Sequence, residues 1–483
     1  MRVLLLLSLL AAGCGHFLPG HVPCPNSGGP VWHELRSRNF QLDTDLDEPE
    51  AAQWIKDLEQ LEATVIGAVS PKPVTLPGRL RVVIPKTLAT YAELAPDTGT
   101  LGYFYSHTFF HEPTIVIRPD ALKGDPEVIA HEIGHYVSFH IFPRHPEWFE
   151  EGVVQFAQTV ANPDPRFHNL AGLMPRLRIL EVARGNVPPA DVKKLFAWKG
   201  MDTGTLELWA WGLFHWLWTN RPDQLDDYQR RLLANTSPDE AWAQAFGDLD
   251  LGKSGNAEKV NALIDKHLRE AKFDSYYEVK ASSDPAYVQR VVPAAQIHVL
   301  LLDVRLNWLH RQTRSMGVQE DKQNTIEEQL RFAMGDDPNE PVAGFKLRML
   351  KKSPVLAGAR TAAAAHPDDW RAFAMLALAE EPASPEQGAA WRKAAELNPD
   401  NAYANERVAD FLKSKPEEAF GFARRAAQLA PDDPYSLETL AAVAVSLGRC
   451  QEARTLVDRA ADHLSDDDAL RGKLQRDWDA CRK

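Results

Sequence analysis

The feature that most constrains the fold of this chain is a His-Glu-x-x-His motif, formed by His131, Glu132 and His135. Residues four apart lie on the same face of a helix, with their Cβ atoms about 5–6 Å apart. The two histidines can therefore bind one metal ion if the segment is a helix whose motif face borders a cleft. The apolar residues that predict the buried side of this helix are Val128, Ile129, Ile133, Tyr136, Val137 and Phe139.

A third metal ligand is available a short distance along the chain. A catalytic zinc ion typically has three protein ligands and one open position. Glu151 is the candidate, and it lies in the sequence Trp-Phe-Glu-Glu-Gly that ends at Gly152. Glu147, one helical turn earlier, is the alternative ligand, whereas Glu150 is expected to face away from the metal.

Together the two motifs resemble those of gluzincin-type zinc metallopeptidases with a peptidase MA-like domain, which combine His-Glu-x-x-His with Trp-x-x-Glu-Gly. The resemblance implies an α+β zincin-like domain over residues 31–275 and one Zn²⁺ per chain, bound by His131, His135 and Glu151. It also implies that Glu132 is the general base, which takes a proton from a metal-activated water. The expected substrate is a peptide or protein, and endopeptidase activity is favoured.

The pattern of apolar residues predicts the main elements of this domain. The segment 32–40 resembles the opening strand of the family, and an amphipathic helix is expected after it over 48–69. Further strands are expected at 80–85 and 114–118. The family resemblance implies that the strand at 114–118 forms the edge of the sheet above the cleft. The closing helices are expected at 206–218 and 239–247.

The resemblance leaves one catalytic group unassigned. Gluzincins usually present a Tyr or His that stabilises the oxyanion, often a Tyr at the start of the helix that corresponds to 206–218. This chain has Glu207 and Trp209 there. The alternatives that the chain offers are His215, Tyr103 and Tyr105.

The N-terminus has the pattern of an export signal. Residues 1–14 combine a short basic start, an apolar run of about ten residues, and small residues before Cys14. This resembles a bacterial lipoprotein signal peptide with its lipobox, which implies lipidation of Cys14. Residues 15–30 are rich in Gly and Pro and predict a flexible tether. We therefore expect a lipid-anchored protein of the bacterial cell envelope, periplasmic or associated with the outer membrane.

The C-terminal part contains an internal repeat. Pro-Asp pairs that begin at Pro367, Pro399 and Pro431 recur every 32 residues, and small residues recur at the same offset. The pattern resembles tetratricopeptide (TPR) repeats, which implies an all-α helical-repeat domain over 354–483 that binds a protein partner. The segment 285–350 is predicted to be helical, either as a linker or as a degenerate repeat.

The repeat part contains two cysteines, and the repeat register suggests that they form a disulfide. Cys450 and Cys481 occupy nearly equivalent places in successive repeat units if the TPR resemblance holds. The ends of the neighbouring helices would then be close enough for a disulfide. The pairing is therefore an expectation that follows from the repeat register.

Composition limits the possible functions. The 483-residue chain has a net charge of −13 and a pI of about 5.7, which argues against nucleic-acid binding. Two interpretations remain: an exported zinc-dependent peptidase, or a catalytically idle cell-envelope scaffold that binds protein partners through its repeats. Glu132 favours the enzyme, because a structural zinc site has no need of this carboxylate. The missing downstream Tyr favours the scaffold.

Overall fold

The computed structural model comprises an α+β part followed by a stack of helices. The residues that it describes are 29–70, 74–95, 101–105, 112–121, 126–162, 164, 166, 168–175, 178–179, 182, 187–199, 204–270, 276–280, 285–313, 321–464 and 468–481. Within these ranges, no helix is both long enough and apolar enough to cross a membrane.

The elements follow one another in a simple order. The strands are β1 (His33–Arg36), β2 (Phe40–Thr44), β3 (Leu80–Ile84), β4 (Gly102–Tyr105), β5 (Thr114–Ile117), β6 (Leu170–Ala171), β7 (Tyr277–Glu278) and β8 (Val288–Val291). The helices of the first part are α1 (Glu48–Val69), α2 (Leu88–Leu94), α3 (Glu127–Ile141), α4 (Glu147–Gln158), α5 (Val192–Phe196), α6 (Thr205–Asn220), α7 (Pro222–Leu233), α8 (Pro238–Ala245) and α9 (Asn256–Glu270). The later helices are α10 (Ala294–Thr313), α11 (Asp321–Asp336), α12 (Pro341–Leu350), α13 (Leu356–Ala365), α14 (Trp370–Ala379), α15 (Pro385–Leu397), α16 (Ala402–Phe411), α17 (Pro416–Leu429), α18 (Pro434–Ser446), α19 (Cys450–Asp462) and α20 (Asp468–Ala480).

Within the described part of the chain, six strands form one mixed sheet in the order β4-β5-β3-β2-β1-β8. β3 pairs in parallel with β2 and β5, whereas the pairs β4–β5, β1–β2 and β1–β8 are antiparallel. The prediction that the strand at 114–118 forms the sheet edge is wrong, because β4 pairs with its outer side. β4 has only four residues, Gly-Tyr-Phe-Tyr, and so short a segment carries no clear alternation in sequence.

The two faces of the sheet are covered by different helices. Alternate residues of a strand point to opposite faces, and in β3 Val82 belongs to one core and Val83 to the other. The Val82 face packs against α1, α3, α4 and α6, so that all the helices of the predicted metal site lie on this side. The Val83 face is covered by α2 and α10.

α1 shows how the sequence pattern produces the packed layer. Pro49 lies in its first turn, where a missing N–H costs no hydrogen bond. Ala51, Ile55 and Val65 are fully buried along one stripe of the helix and pack in the same core as α3. The helix predicted over 48–69 is thus confirmed, as is the strand predicted at 80–85.

The C-terminal part is an all-α helical repeat, as the repeat pattern predicted. Each helix packs against the next one, and short loops connect them. Neighbouring helices are therefore antiparallel. Gly448 has a φ of +72° in the turn between α18 and α19, a conformation that favours glycine. The small residues that recur every 32 positions are buried: Ala362, Ala363, Ala377, Ala394, Ala395, Ala409, Ala426, Ala427 and Ala441.

The segment between the two parts is integrated into both of them. β8 completes the sheet beside β1, although it lies beyond residue 275. On α10, Ile297 and Leu301 pack against the sheet, whereas Val299 and Leu302 belong to the core of the repeats. The helix is therefore a shared wall between the sheet and the repeat stack.

The repeats also contact the first part through charged side chains. Arg144, just after α3, donates two hydrogen bonds to Asp462 at 2.5 and 3.3 Å. Asp400, in a loop of the repeats, accepts hydrogen bonds from Arg79 at 3.0 Å and from Arg425 at 2.5 Å. These contacts place the repeat stack next to the end of α3.

Candidate metal centre

Two closely packed helices carry the three predicted ligands. α3 bears both histidines of the motif, and α4 bears Glu151. A Cβ on Gly134 of α3 would lie 3.0 Å from Val154 of α4. A Cβ on Gly152 would lie 2.9 Å from the carbonyl oxygen of Ala210 on α6. The two glycines therefore allow the close packing that holds Glu151 opposite the histidines.

The side chains of His131, His135 and Glu151 converge at one point. Each contributes a ligand atom, and these atoms lie within 4.8 Å of one another; no other such group occurs among the described residues. The two Nε2 atoms are 3.1 Å apart. The Glu151 oxygens lie 3.9 Å from Nε2 of His131 and 3.7 Å from Nε2 of His135.

The spacing of these atoms suits a small metal ion. Two nitrogens that each lie about 2.0–2.1 Å from one tetrahedral zinc ion are roughly 3.3 Å apart. The two Nε2 atoms are close to that separation. Two imidazole nitrogens and one carboxylate are also a donor set that zinc accepts in catalytic sites. The residues that are present therefore fit the metal that the sequence resemblance implies.

The opposite ring nitrogens of both histidines are held by neighbouring side chains. His131 Nδ1 lies 2.8 Å from Oε1 of Gln158, and His135 Nδ1 lies 2.5 Å from Oε1 of Glu150. The other carboxylate oxygen of Glu150 lies 3.3 Å from Nε2 of His145. If each Nδ1 carries the ring proton and donates a hydrogen bond to its partner, each Nε2 is left with a lone pair for the metal.

Burial and neighbouring charges shift the pKa values around this position in different directions. Burial would lower the pKa of His135, but the adjacent Glu150 and Glu151 raise it to about 10. Burial would raise the pKa of Glu150, but the adjacent His135 and His145 lower it well below its usual range. Burial raises the pKa of Glu151 to about 7; the adjacent His135 opposes this shift, and Glu207 and Glu150 add to it. A divalent cation between the ligands would favour the ionised form of Glu151.

Glu132 lies at the border between the site and the edge of the sheet. It follows His131 on α3 and is half-buried. A Cβ on Gly102, the first residue of β4, would lie 3.7 Å from Cγ of Glu132. The predicted base is thus next to the strand that forms the outer edge of the sheet within the described part of the chain.

Several polar residues that support the site were not predicted. Gln155 lies between Glu151 and Glu207. Its Nε2 is 3.5 Å from Oε2 of Glu151 and donates a hydrogen bond to the carbonyl oxygen of Glu207 at 3.1 Å. Arg178 donates to Oε1 of Gln155 at 3.1 Å and forms a buried ion pair with Glu207. Gln155 and Gln158 follow Glu151 by four and seven residues, so the helical period could have indicated them. No comparable signal exists for Arg178.

The alternatives for an oxyanion-stabilising residue lie away from the ligands. Tyr103 and Tyr105 stack on each other in the core on the opposite face of the sheet. His215 is 1% exposed, stacks on Trp211, and its Nδ1 lies 2.8 Å from Nε2 of His267. None of the three is in the ligand group, and Glu207, in the first turn of α6, forms an ion pair with Arg178.

The remaining residues of interest are Glu147, His145 and three cysteines. Glu147, the alternative ligand, is not in the group. The side chain of His145 is 3% exposed, and its Nε2 contacts Glu150. A disulfide joins Cys450 and Cys481, whose Cα atoms are 5.2 Å apart. Cys14 lies outside the described residues.

Comparisons with known proteins give limited information. No protein-family model matches the chain, and no curated protein matches it. Among solved structures, a thermophilic TPR protein of Thermus thermophilus is 19% identical, with a TM-score of 0.28, and the match covers 38% of this chain and 98% of that protein. Yeast Tom70 is 11% identical, with a TM-score of 0.31, and 75% of this chain and 83% of that chain are covered. The TPR domain of P58(IPK) is 14% identical, with a TM-score of 0.20, and the match covers 75% of this chain and 96% of that domain. The repeat architecture described above follows from the helices themselves.

Proposed function

We propose that this protein is a zinc-dependent peptidase of gluzincin type. His131, His135 and Glu151 would bind one Zn²⁺, and Glu132 would be the general base. The observation that carries the proposal is the convergence of the three ligand atoms within 4.8 Å on two packed helices. The hydrogen bonds that Gln158 and Glu150 accept from the two histidines support it, because histidines that bind a metal usually have such a partner on the other ring nitrogen.

The chemistry divides between the metal and the chain. A bound Zn²⁺ would supply a Lewis acid that polarises the scissile carbonyl and acidifies a water molecule. Glu132 would take the proton from the attacking water and then deliver it to the leaving amine. Two observations support this role: the charge of Glu132 acts on both His131 and His135, and its side chain is only half-buried, which would allow substrate to approach.

The edge strand offers a way to position the substrate. An extended peptide can add to a free sheet edge through main-chain hydrogen bonds. Among the residues that the structure describes, β4 pairs with β5 on one side and with no strand on the other, and Gly102 lies against Glu132. A peptide that is bound along β4 would therefore pass close to the base and to the ligands. This geometry favours an endopeptidase, which cleaves within an extended chain.

A second candidate function is a protein-binding scaffold without catalysis. One observation favours it: the Arg178–Glu207 ion pair occupies the position where gluzincins often carry an oxyanion-stabilising Tyr. A stack of helix pairs also exposes an extended surface suited to proteins or peptides. The repeats could serve either function, by binding a partner of the enzyme or by being the main activity of the protein.

The proposed cellular location rests on the sequence pattern of the first residues. A signal sequence with lipidation at Cys14 would anchor the protein to a membrane of the bacterial cell envelope through lipid. The two functions are both compatible with this location.

The test of the enzyme proposal combines zinc content with casein cleavage. We expect one zinc per chain in the purified protein, and loss of zinc from His135→Ala and Glu151→Ala. The matched control is Glu147→Ala, which should retain zinc. Glu132→Gln should keep its zinc but hydrolyse casein at least about 100-fold more slowly, because the general base is lost.

Two outcomes would contradict the proposal in different ways. Zinc loss from Glu147→Ala with full zinc in Glu151→Ala would show that the ligand assignment is wrong. Equal casein turnover by Glu132→Gln and the unmodified protein, or no turnover by the zinc-loaded protein on any peptide tested, would leave the scaffold as the better function.

A further inference from the structure

A cleft separates the first part of the protein from the repeats at the end of α3. Its volume is about 630 Å³, a size typical of sites for small molecules. One wall includes Arg38 from the loop between β1 and β2 and His140 from α3. The other wall includes Asp400, Arg425 and Arg459 from the repeats. Any ligand in this cleft would contact both parts of the protein.

The charges that line the cleft are not balanced. Three arginines and one aspartate are among its lining residues. Asp400 is already bound by Arg425 and by Arg79, which lies outside the lining. This carboxylate is therefore already paired with two guanidinium groups, and it forms no ion pair with Arg38 or Arg459 among the described contacts.

The guanidinium group of Arg459 forms no ion pair with any described residue. It donates to the carbonyl of Pro431 at 2.9 Å, and its Nε is buried without a hydrogen-bond partner in the same part of the chain. Burial lowers the pKa of Arg459 to about 10, although Asp432 and Asp462 oppose this shift from a distance. Asp462 is itself bonded to Arg144.

Arg38 is likewise without a counter-ion in the described part of the chain. It is exposed at the rim and forms no ion pair with a described residue. The buried carboxyl that interacts with it is Glu62, and burial together with the nearby Glu59 raises the pKa of Glu62 to about 8. Glu62 is therefore largely uncharged at neutral pH. It does not cancel the positive charge of Arg38.

We propose that this cleft binds a small-molecule anion with carboxylate or phosphate oxygens, held between Arg38 and Arg459. Guanidinium groups match the planar or tetrahedral oxygens of these anions and form charge-assisted hydrogen bonds with them. Such a ligand would accept hydrogen bonds from the guanidinium groups of both arginines and would link the repeats to the loop between β1 and β2. The proposal does not depend on the metal site or on peptidase activity.

The experiment is calorimetric titration of the full-length protein with succinate and, separately, with inorganic phosphate. Chloride at matched ionic strength in all solutions controls for general screening. We expect saturable binding of at least one anion, which identifies whether the source of the oxygens is a carboxylate or a phosphate. Arg38→Gln and Arg459→Gln should each weaken this binding at least about tenfold, the scale of one lost hydrogen bond to a charged group. The control is Arg471→Gln, an exposed arginine outside the cleft, which should bind normally.

Two results would overturn the proposal. The first is the absence of saturable binding of both anions to the unmodified protein. The second is equal affinity in Arg38→Gln and Arg471→Gln. Because Arg459 is half-buried at the interface, its variant is first checked by circular dichroism. If that variant is misfolded, the exposed Arg38 decides the outcome.

Discussion

At the scale of single residues, the candidate metal site depends on the side chains behind the three proposed ligands. Glu150 lies between two imidazoles, and its carboxylate is the partner that fixes the orientation of His135. Gln158 has the same relationship to His131 but carries no charge. The two histidines therefore differ in basicity, because an anionic partner strengthens a histidine as a ligand more than a neutral amide does.

This difference leads to a prediction for Glu150. Glu150→Gln keeps the size of the side chain but removes the negative charge behind His135. We expect the zinc dissociation constant to rise by about 10- to 100-fold, the range that is typical for a lost partner of a metal-binding histidine. Competition titration with a chromophoric chelator measures it. Glu147→Gln, on the same helix but outside the ligand group, should change the constant little; the reverse ranking would contradict this role of Glu150.

At the scale of elements, the position of Glu151 depends on a helix crossing that requires glycine. At Gly152 a Cβ would lie 2.7 Å from Cβ of Phe214 and 2.9 Å from the carbonyl oxygen of Ala210, both on α6. Neither of these atoms can move as the tip of a flexible side chain could. The crossing of α4 and α6 is therefore as close as two helices can come here, and it sets the depth at which Glu151 lies.

Gly152 and Gly421 form a matched pair for a test of this crossing. Gly152→Ala should lower the free energy of unfolding by about 1–3 kcal/mol, since the new methyl group overpacks the contact with α6. Around Gly421, inside α17, no described atom lies within 4 Å of the place that an alanine Cβ would take. Gly421→Ala should therefore raise the stability by about 0.5–1 kcal/mol, because alanine is the better helix former. Urea denaturation measures both changes, and a neutral effect of Gly152→Ala would show that the crossing is looser than described.

At the scale of the whole molecule, the repeats are docked against the metal-site part rather than joined to it by a free linker. α10 contributes to the core on each side, and Arg144 reaches Asp462 across 318 residues of sequence. The Arg144 side chain is 15% exposed and that of Asp462 is 39% exposed. An ion pair that is partly shielded from solvent is stabilised more than one on the open surface.

A double-mutant cycle tests this arrangement. Arg144→Ala, Asp462→Ala and the double variant should give a coupling energy of about 1 kcal/mol in the free energy of unfolding, at the upper end for exposed pairs. The control cycle uses Arg392 and Glu418, which form a more exposed pair within the repeats. Its coupling should be below about 0.5 kcal/mol. Zero coupling between Arg144 and Asp462 would mean that the two parts do not meet in solution as they do here.

Much of this architecture was predictable because it depends on local periodicity. The spacing of His131 and His135 places both on one helical face whatever the rest of the chain does. The 32-residue offset likewise determined which alanines would be buried in the repeats, since equivalent positions in stacked units have equivalent neighbours. The helix over 48–69 followed from one continuous apolar stripe.

The tertiary structure decided the contacts between residues that are distant in sequence. Nothing in the local pattern indicates that β4 would form the sheet edge, that Arg178 would pair with Glu207, or that Tyr103 would face the opposite core. A strand of four residues has too few positions to reveal its pairing, and a side chain's partner is set by how separate elements pack. The sequence by itself determined the ligand types and the repeat; the packing of helices and sheet decided which polar groups surround them.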